Sequence, residues 1–363
     1  MNAPAGFAIR ARFKLDYPEF LLDVDLNLPG RGVTALFGAS GSGKTTCLRA
    51  IAGLEHAPGG YLEVNGEVWQ DDSRNLFIPT YRRPLGYVIQ EAGLFSHLTV
   101  RRNLEYGMKR VPEPERRVSL AQSIKLLGID HLLERMPQTL STGESQRVGI
   151  ARALATSPRI LLMDEPLAAL DVKRKSEILP YLERLHDELD IPLIYVSHAP
   201  DEVARLADNM VLLEHGRVLA SGSPIDLMTR LDMPLAHGDA AEALILGTVS
   251  AQDIENHLTW VLFAGGLLAL PYQEVEINQQ VRVRIQARDV SLTLAQQQDT
   301  SILNILPAAV TGLSDDSPGQ IMVGLDVGGT RILARITRKS SVNLGLALGK
   351  AVYAQIKGVA ILK

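Results

Sequence analysis

The chain has 363 residues, 46% hydrophobic and 21% charged, an ordinary globular mixture with enough length for about two or three domains. A net charge of −4 and a pI near 6.1 exclude a polyanion binder built on bulk basic charge. The single cysteine, Cys47, excludes an internal disulfide and suits a reducing compartment.

Residues 1–7, Met-Asn-Ala-Pro-Ala-Gly-Phe, lack a charged stretch leading into an apolar core, so no signal peptide is expected. Residues 7–13 and 22–28 alternate apolar and polar positions, as half-buried strands do. Residues 32–37 suit a buried strand, and 46–53 suit a helix stopped by Gly53. Between them, residues 38–46 read Gly-Ala-Ser-Gly-Ser-Gly-Lys-Thr-Thr, a phosphate-binding loop in the strand–loop–helix setting that this motif needs. Gly38, Gly41 and Gly43 let the backbone curl, so that successive amides along Ala39, Ser40, Ser42 and into Thr46 turn toward an anion. The helix start adds free N–H groups and a positive dipole end. Lys44 would set a cation between the outer phosphates, and the Thr45 hydroxyl would hold magnesium. Cys47 reads as a small apolar residue packing this helix.

Residues 60–69 suggest a hairpin turning at Asn65-Gly66. Residues 97–135 lean helical and are rich in charge. In the run 140–147, Leu-Ser-Thr-Gly-Glu-Ser-Gln-Arg, Ser141 and Glu144 have capping-box spacing and open a helix with Val148, Ala151 and Leu154 on one face. An apolar strand follows at 159–163 and ends in Asp164 and Glu165. At the strand end where the phosphate loop also opens, Asp164 would bind the magnesium. Glu165 would act as general base on the attacking water, worth on the order of 10²–10⁴-fold. A helix at 172–189, a strand at 193–197 and a helix at 201–206 then alternate, which implies a parallel sheet covered by helices.

The character changes near residue 235, where 234–241 reads as a linker. Short β-type runs follow at 243–249, 258–263, 280–287, 320–325, 331–337 and 351–356, as in a small all-β barrel. The apolar stretch 258–270 is too short for a bilayer span of roughly 20 residues, and Gly265-Gly266 makes it a hairpin.

The segment 140–147 is similar to the Leu-Ser-Gly-Gly-Gln signature of ATP-binding-cassette ATPases, and it lies just before the acidic strand as that family requires. Gln90, in Tyr-Val-Ile-Gln-Glu, resembles the glutamine that touches magnesium and the transmembrane partner. The run 167–171, ending at Asp171, resembles the loop that crosses the dimer interface, and His198 resembles the switch histidine at the γ-phosphate. The family stacks adenine on an aromatic from the first strands, here Tyr17 in preference to Phe13 or Phe20. Thr142 and Glu144 replace the signature's usual glycine and glutamine. Glu144 brings an acid toward the γ-phosphate, or its cap role turns the carboxylate onto its own helix start. The resemblance implies ATP with Mg2+, and two copies that sandwich two ATP molecules. Each loop then faces the other copy's Ser141, Thr142 and Gly143. It also implies permease subunits in the membrane.

Residues 300–363 resemble the Mop/TOBE type of oxyanion domain found behind molybdate-importer ATPases, through 300–307, 332–341 and 352–357. Residues 87–100 resemble the same subgroup. Ser301, Asn304 and Lys357 have the donor types a tetrahedral dianion needs, although Leu303 stands where arginine is frequent. The expected fold class is thus an α/β P-loop NTPase cassette followed by a small all-β, OB-like barrel. The expected domains are a cassette at 1–234 with a helical insert at 91–157, a linker and first β segment at 235–299, and the oxyanion domain at 300–363. The function so implied is hydrolysis of ATP to energise molybdate import, at the cytoplasmic face of the inner membrane, served indirectly by a periplasmic molybdate-binding protein. Tungstate, or sulfate and other solutes, are the alternative cargoes. A soluble ATPase of translation or repair would carry a second cassette or a coiled coil. A nucleic-acid barrel would be basic, whereas residues 242–363 hold ten acidic and ten basic side chains, so no nucleic-acid partner is expected. Residues 326–330, Asp-Val-Gly-Gly-Thr, resemble a sugar-kinase phosphate motif but read better as a hairpin turn.

Overall fold

The computed structural model describes residues 7–362; residues 1–6, most of the segment read for a signal peptide, and Lys363 lie outside it. The chain divides into two units that meet at Ser221 and Gly222.

The first unit begins with the hairpin β1 (Phe7–Tyr17) and β2 (Phe20–Pro29), then β3 (Val33–Phe37), α1 (Lys44–Ala52), β4 (Tyr61–Val64), β5 (Glu67–Asp71), β6 (Leu76–Phe77) and β7 (Leu85–Val88). Three helices follow, α2 (Val100–Met108), α3 (Leu120–Leu127) and α4 (Thr142–Leu154). The chain returns through β8 (Ile160–Asp164), α5 (Val172–Glu188), β9 (Leu193–Ser197), α6 (Pro200–Leu206), β10 (Asn209–Glu214) and β11 (Arg217–Gly222). Eleven described strands form one sheet in the order β6-β5-β4-β1-β2-β11-β10-β3-β9-β8-β7. The run from β10 to β7 is parallel. Its strands β3 and β9 are buried at every position, as a sheet covered on both faces demands.

The apolar stripe of α1, with Cys47, Leu48 and Ile51, packs on Ile160, Leu162, Ile194 and Val196 in the core beneath the phosphate loop. Burial pushes the Cys47 thiol up to about 12, so it is a packing residue, as expected. Arg83 closes the far end of α1. Its Nη1 donates to Ile51 O at 2.7 Å, its Nε donates to Ile78 O, and Phe77 and Trp69 flank the guanidinium. Asn65 (φ 50°) and Gly66 (φ 83°) make the tight turn between β4 and β5.

The second unit contains α7 (Pro224–Leu227), β12 (Glu242–Asp253), β13 (Leu258–Phe263), β14 (Gly266–Pro271), β15 (Gln280–Gln286), β16 (Val290–Thr293), β17 (Asn304–Ser317), β18 (Gln320–Val327), β19 (Thr330–Thr337), α8 (Arg338–Asn343), β20 (Ala351–Ile356) and β21 (Ala360–Leu362). They form two antiparallel sheets, β14-β13-β12-β15-β21 and β16-β20-β17-β18-β19. The sheets share one core, with Val261, Leu268 and Val283 from the first against Val310, Val323 and Ala354 from the second. They exchange strands: β16 pairs with β20, while β21 crosses back to β15. The 326–330 turn is the expected hairpin, with Gly329 N–H on Asp326 Oδ1 at 2.8 Å.

The unit boundary lies upstream of the linker expected at 234–241, because the segment before β12 is anchored on the second unit. Leu231 packs with Ala236, Ala241, Met322 and Leu333. The side chain of Asp316, fully buried, accepts the Gly238 N–H at 2.6 Å and Arg335 Nε at 2.6 Å, and faces His237 at 3.4 Å. Among the described residues no helix is long and apolar enough to cross a membrane.

Candidate active site

The loop between β3 and α1 curls as the glycine spacing predicts. Gly43 has φ 99°, and a Cβ there would lie 2.7 Å from Phe20 Cζ, so only glycine allows this approach. Lys44 is buried and donates to Gly38 O at 2.9 Å and Ala39 O at 2.7 Å, which stakes its ammonium across the loop. Burial pulls the Lys44 ammonium below its ordinary value, with Glu165 and Asp164 opposing the shift. Ala39, Ser40 and Gly41 are exposed at the rim. Ser42 Oγ is buried inside it with no protein partner, the kind of atom a phosphate oxygen satisfies.

Thr45 Oγ1 donates to Asp164 Oδ1 at 2.9 Å across the gap from α1 to the end of β8. Tyr87 OH, from β7, donates to Asp164 Oδ2 at 3.3 Å. Burial pushes the Asp164 carboxyl up, against these two hydrogen bonds. In the sequence Tyr87 is marked only by its place three residues before Gln90. Glu165 follows at φ 47°, a left-handed backbone for a non-glycine residue, with its N–H on Val196 O at 3.1 Å. That twist turns its carboxylate to His198, whose Nδ1 lies 3.2 Å from Glu165 Oε1. Lys44, Thr45, Asp164, Glu165 and His198 thus gather at one end of the parallel strands. Thr46 is half-buried in the same helix turn, and Gln90 is exposed just past β7. The loop after Gln90 is tied to α4 by Arg152, which donates to Gly93 O at 2.9 Å and Ala92 O at 3.1 Å.

Ser141, Gly143, Glu144 and Asp171 line a separate cleft with Arg147 and Tyr181. Thr142 is exposed at the start of α4 beside them. Ser141 caps α4, and Glu144 Oε2 accepts the Ser141 N–H at 2.7 Å, so the capping box is formed. That bond holds the Glu144 carboxyl below its ordinary range. The acid therefore faces its own helix start, the second of the two orientations open to it. Asp171 caps α5 in the same way, through Arg174 N–H at 2.8 Å. Tyr17 ends β1, 38% exposed, tilted against Phe20 at 6.3 Å between centroids. Phe13 is buried in the core and cannot stack on a base.

In the second unit the three expected oxyanion donors differ in freedom. Ser301 and Lys357 are exposed. Asn304 is buried, accepting Ala269 N–H at 2.7 Å and donating to Ala269 O at 2.9 Å. It ties β17 to β14, and one amide N–H is left for any other acceptor.

A glycine loop staking its own lysine, with a Thr–Asp pair and a Glu–His pair beside it, defines a P-loop nucleotide hydrolase. The model of the ABC transporter family matches residues 21–168, and that of the TOBE domain matches residues 300–362. The chain is 63% identical to the molybdenum import ATP-binding protein ModC of Aromatoleum aromaticum, over 98% of this chain and 94% of that protein. It is 58% identical to the ModC of Pseudomonas aeruginosa, over 98% and 99%. Among solved structures, cbiO1 of Clostridium perfringens, part of an ABC transporter complex, aligns with TM-score 0.54 at 28% identity, over 61% of this chain and 90% of that one. The chain belongs to the ABC transporter family, among its molybdenum import ATP-binding proteins.

Proposed function

We infer that this chain is the ATP-hydrolysing subunit of an ABC importer that energises molybdate uptake. The observation that carries the hydrolytic part is the grouping of Lys44, Thr45, Asp164, Glu165 and His198 at one end of the sheet. The cargo rests on relatives that carry the molybdenum import name along their whole length, tail included. In this reading the loop amides, Ser42 and Lys44 hold the β- and γ-phosphates, and Tyr17 stacks on adenine. Thr45, Asp164 and Gln90 hold Mg2+, which supplies charge neutralisation on the phosphates when bound. Glu165 takes a proton from the attacking water, and His198, held by Glu165, orients the γ-phosphate. Ser141, Thr142 and Gly143 of a second copy add a helix N-terminus to each site, with Asp171 at the seam between copies. Permease subunits hold the pair at the cytoplasmic face of the inner membrane. In the tail, Ser301, Lys357 and the last N–H of Asn304 offer donors to an oxyanion.

Cells lacking the gene, complemented with wild type or the Lys44→Ala variant, test the cargo by metal analysis and uptake of labelled anion. Molybdate uptake restored by wild type alone is expected. Restored sulfate uptake with unchanged molybdenum would replace the cargo. Calorimetry on full-length Lys44→Ala protein tests the tail. Molybdate and tungstate are expected to bind better than sulfate, because a site spaced for longer bonds leaves donors unmet, at roughly 1–3 kcal/mol each. Absence of heat with all three anions removes the tail as a sensor.

A further inference from the structure

Glu202, in the first turn of α6, is 3% exposed, and each of its carboxylate oxygens is engaged. Oε1 accepts Lys175 Nζ at 2.7 Å, from α5. Oε2 accepts Tyr195 OH at 2.8 Å and Ser197 Oγ at 2.8 Å, both from β9. The Ser197 hydroxyl in turn accepts the Ala199 N–H at 3.0 Å. The residues on either side of His198 are therefore bound to one another, and that clasp is bound to Glu202. The His198 ring stands 57% exposed beyond this turn, with Glu165 as its hydrogen-bond partner. A half-exposed ring keeps a fixed position only if its backbone is fixed. On the other side, Lys175 lies in the first turn of α5, its N–H on Asp171 O at 2.9 Å. One buried carboxylate thus joins the turn that carries His198 to the turn that follows Asp171. A buried charge is expensive to hold, and a helix start needs no residue so deep. Three donors on one buried carboxylate are more than the first turn of α6 requires.

We propose that Glu202 is a positioning residue for ATP hydrolysis, fixing the turn that presents His198 and coupling it to the Asp171 turn at the head of α5. The proposal rests on the role given to His198 above. It is tested with full-length protein by steady-state ATPase, ATP binding measured separately, and thermal melting. Glu202→Ala is expected to lower kcat about tenfold with ATP affinity within about twofold. In a His198→Ala background, the same change is expected to alter kcat less than about twofold while its loss of Tm persists. Glu202→Gln, whose amide oxygen still accepts from Tyr195 and Ser197, is expected to recover most of the turnover. Lys175→Met is expected to lower kcat without moving ATP affinity. An equal fold-loss in both backgrounds, with His198→Ala itself impaired, overturns the proposal and leaves Glu202 a stability residue. Normal turnover in His198→Ala removes the role of His198 and the proposal with it. Should Glu202→Ala fail to fold, Ser197→Ala gives the same comparison, since it opens the clasp and leaves the carboxylate two donors.

Discussion

Glu165 shows how the site uses backbone as well as side chain. Its left-handed φ of 47° is tolerated, at a penalty of order 1–3 kcal/mol, because the Val196 carbonyl binds its N–H and its own carbonyl accepts from Ala168. Glu165→Gln keeps that geometry and loses the base. It is expected to bind ATP normally and lose hydrolysis by about 10²-fold or more, measured by single-turnover release of phosphate. Near-normal turnover would place the base elsewhere. Lys44→Ala is expected to act on a different quantity. It removes the cation staked across the loop, so nucleotide affinity itself should fall, and an unchanged Kd would refute the assignment. The residues named from sequence here stood in a short contiguous run or in a fixed order along the chain. Tyr87 and Glu202 were not legible, because each acts through a partner distant in sequence, Asp164 and Lys175. A tyrosine in a strand and a glutamate in a first helical turn look ordinary in one dimension.

At the scale of elements, local chemistry was readable wherever an element carries its own signal. Buried parallel strands, the Gly53 stop and the Ser141–Glu144 cap are all written within a few residues. Ties between elements are not. His186, near the end of α5, places Nε2 2.7 Å from Asp208 Oδ2 and Nδ1 2.9 Å from Asp187 Oδ1. Asp208 also accepts the Val33 N–H at 2.9 Å, so α5, β3 and the start of β10 are held together. Donation from Nε2 to the Asp208 carboxylate pushes the imidazole up to about 9, against partial burial. A raised folded-state value means that this contribution is whole below the unfolded value of about 6.5 and lost as pH rises through about 9. The Tm gap between wild type and His186→Ala should accordingly be widest near pH 6 and close near pH 10. A gap independent of pH would mean that the ring acts by packing alone.

For the whole molecule, the change from α/β to β was visible, but not where the units part. Segment 224–241 holds short helices like those before it, and only its contacts assign it to the tail. Leu231 sits against Gly312 and Gly324, which face each other in the β17–β18 register; a Cβ at Gly312 would lie 2.7 Å from Leu231 Cδ1. Gly312→Val should therefore expel Leu231 and expose the segment, read as faster proteolysis there, with little effect on the ATPase site. Unchanged cleavage would show that the seat is not needed. The family match at 300–362 likewise hides a dependence. Its strand β21 pairs with β15 and its strand β20 with β16, and both partners lie before residue 300. Removing residues 358–363 is expected to leave β15 as an open edge, giving a lower Tm and light scattering on heating.

The strand exchange also sets an order of events during synthesis. Arg282 cannot meet Leu362, nor Val290 meet Ile356, until the intervening chain has been made. At cellular elongation rates that wait is on the order of ten seconds. Through it, the sheet formed by β14, β13, β12 and β15 shows an apolar face and leaves β15 as an unpaired edge, open to a strand from another unfinished chain.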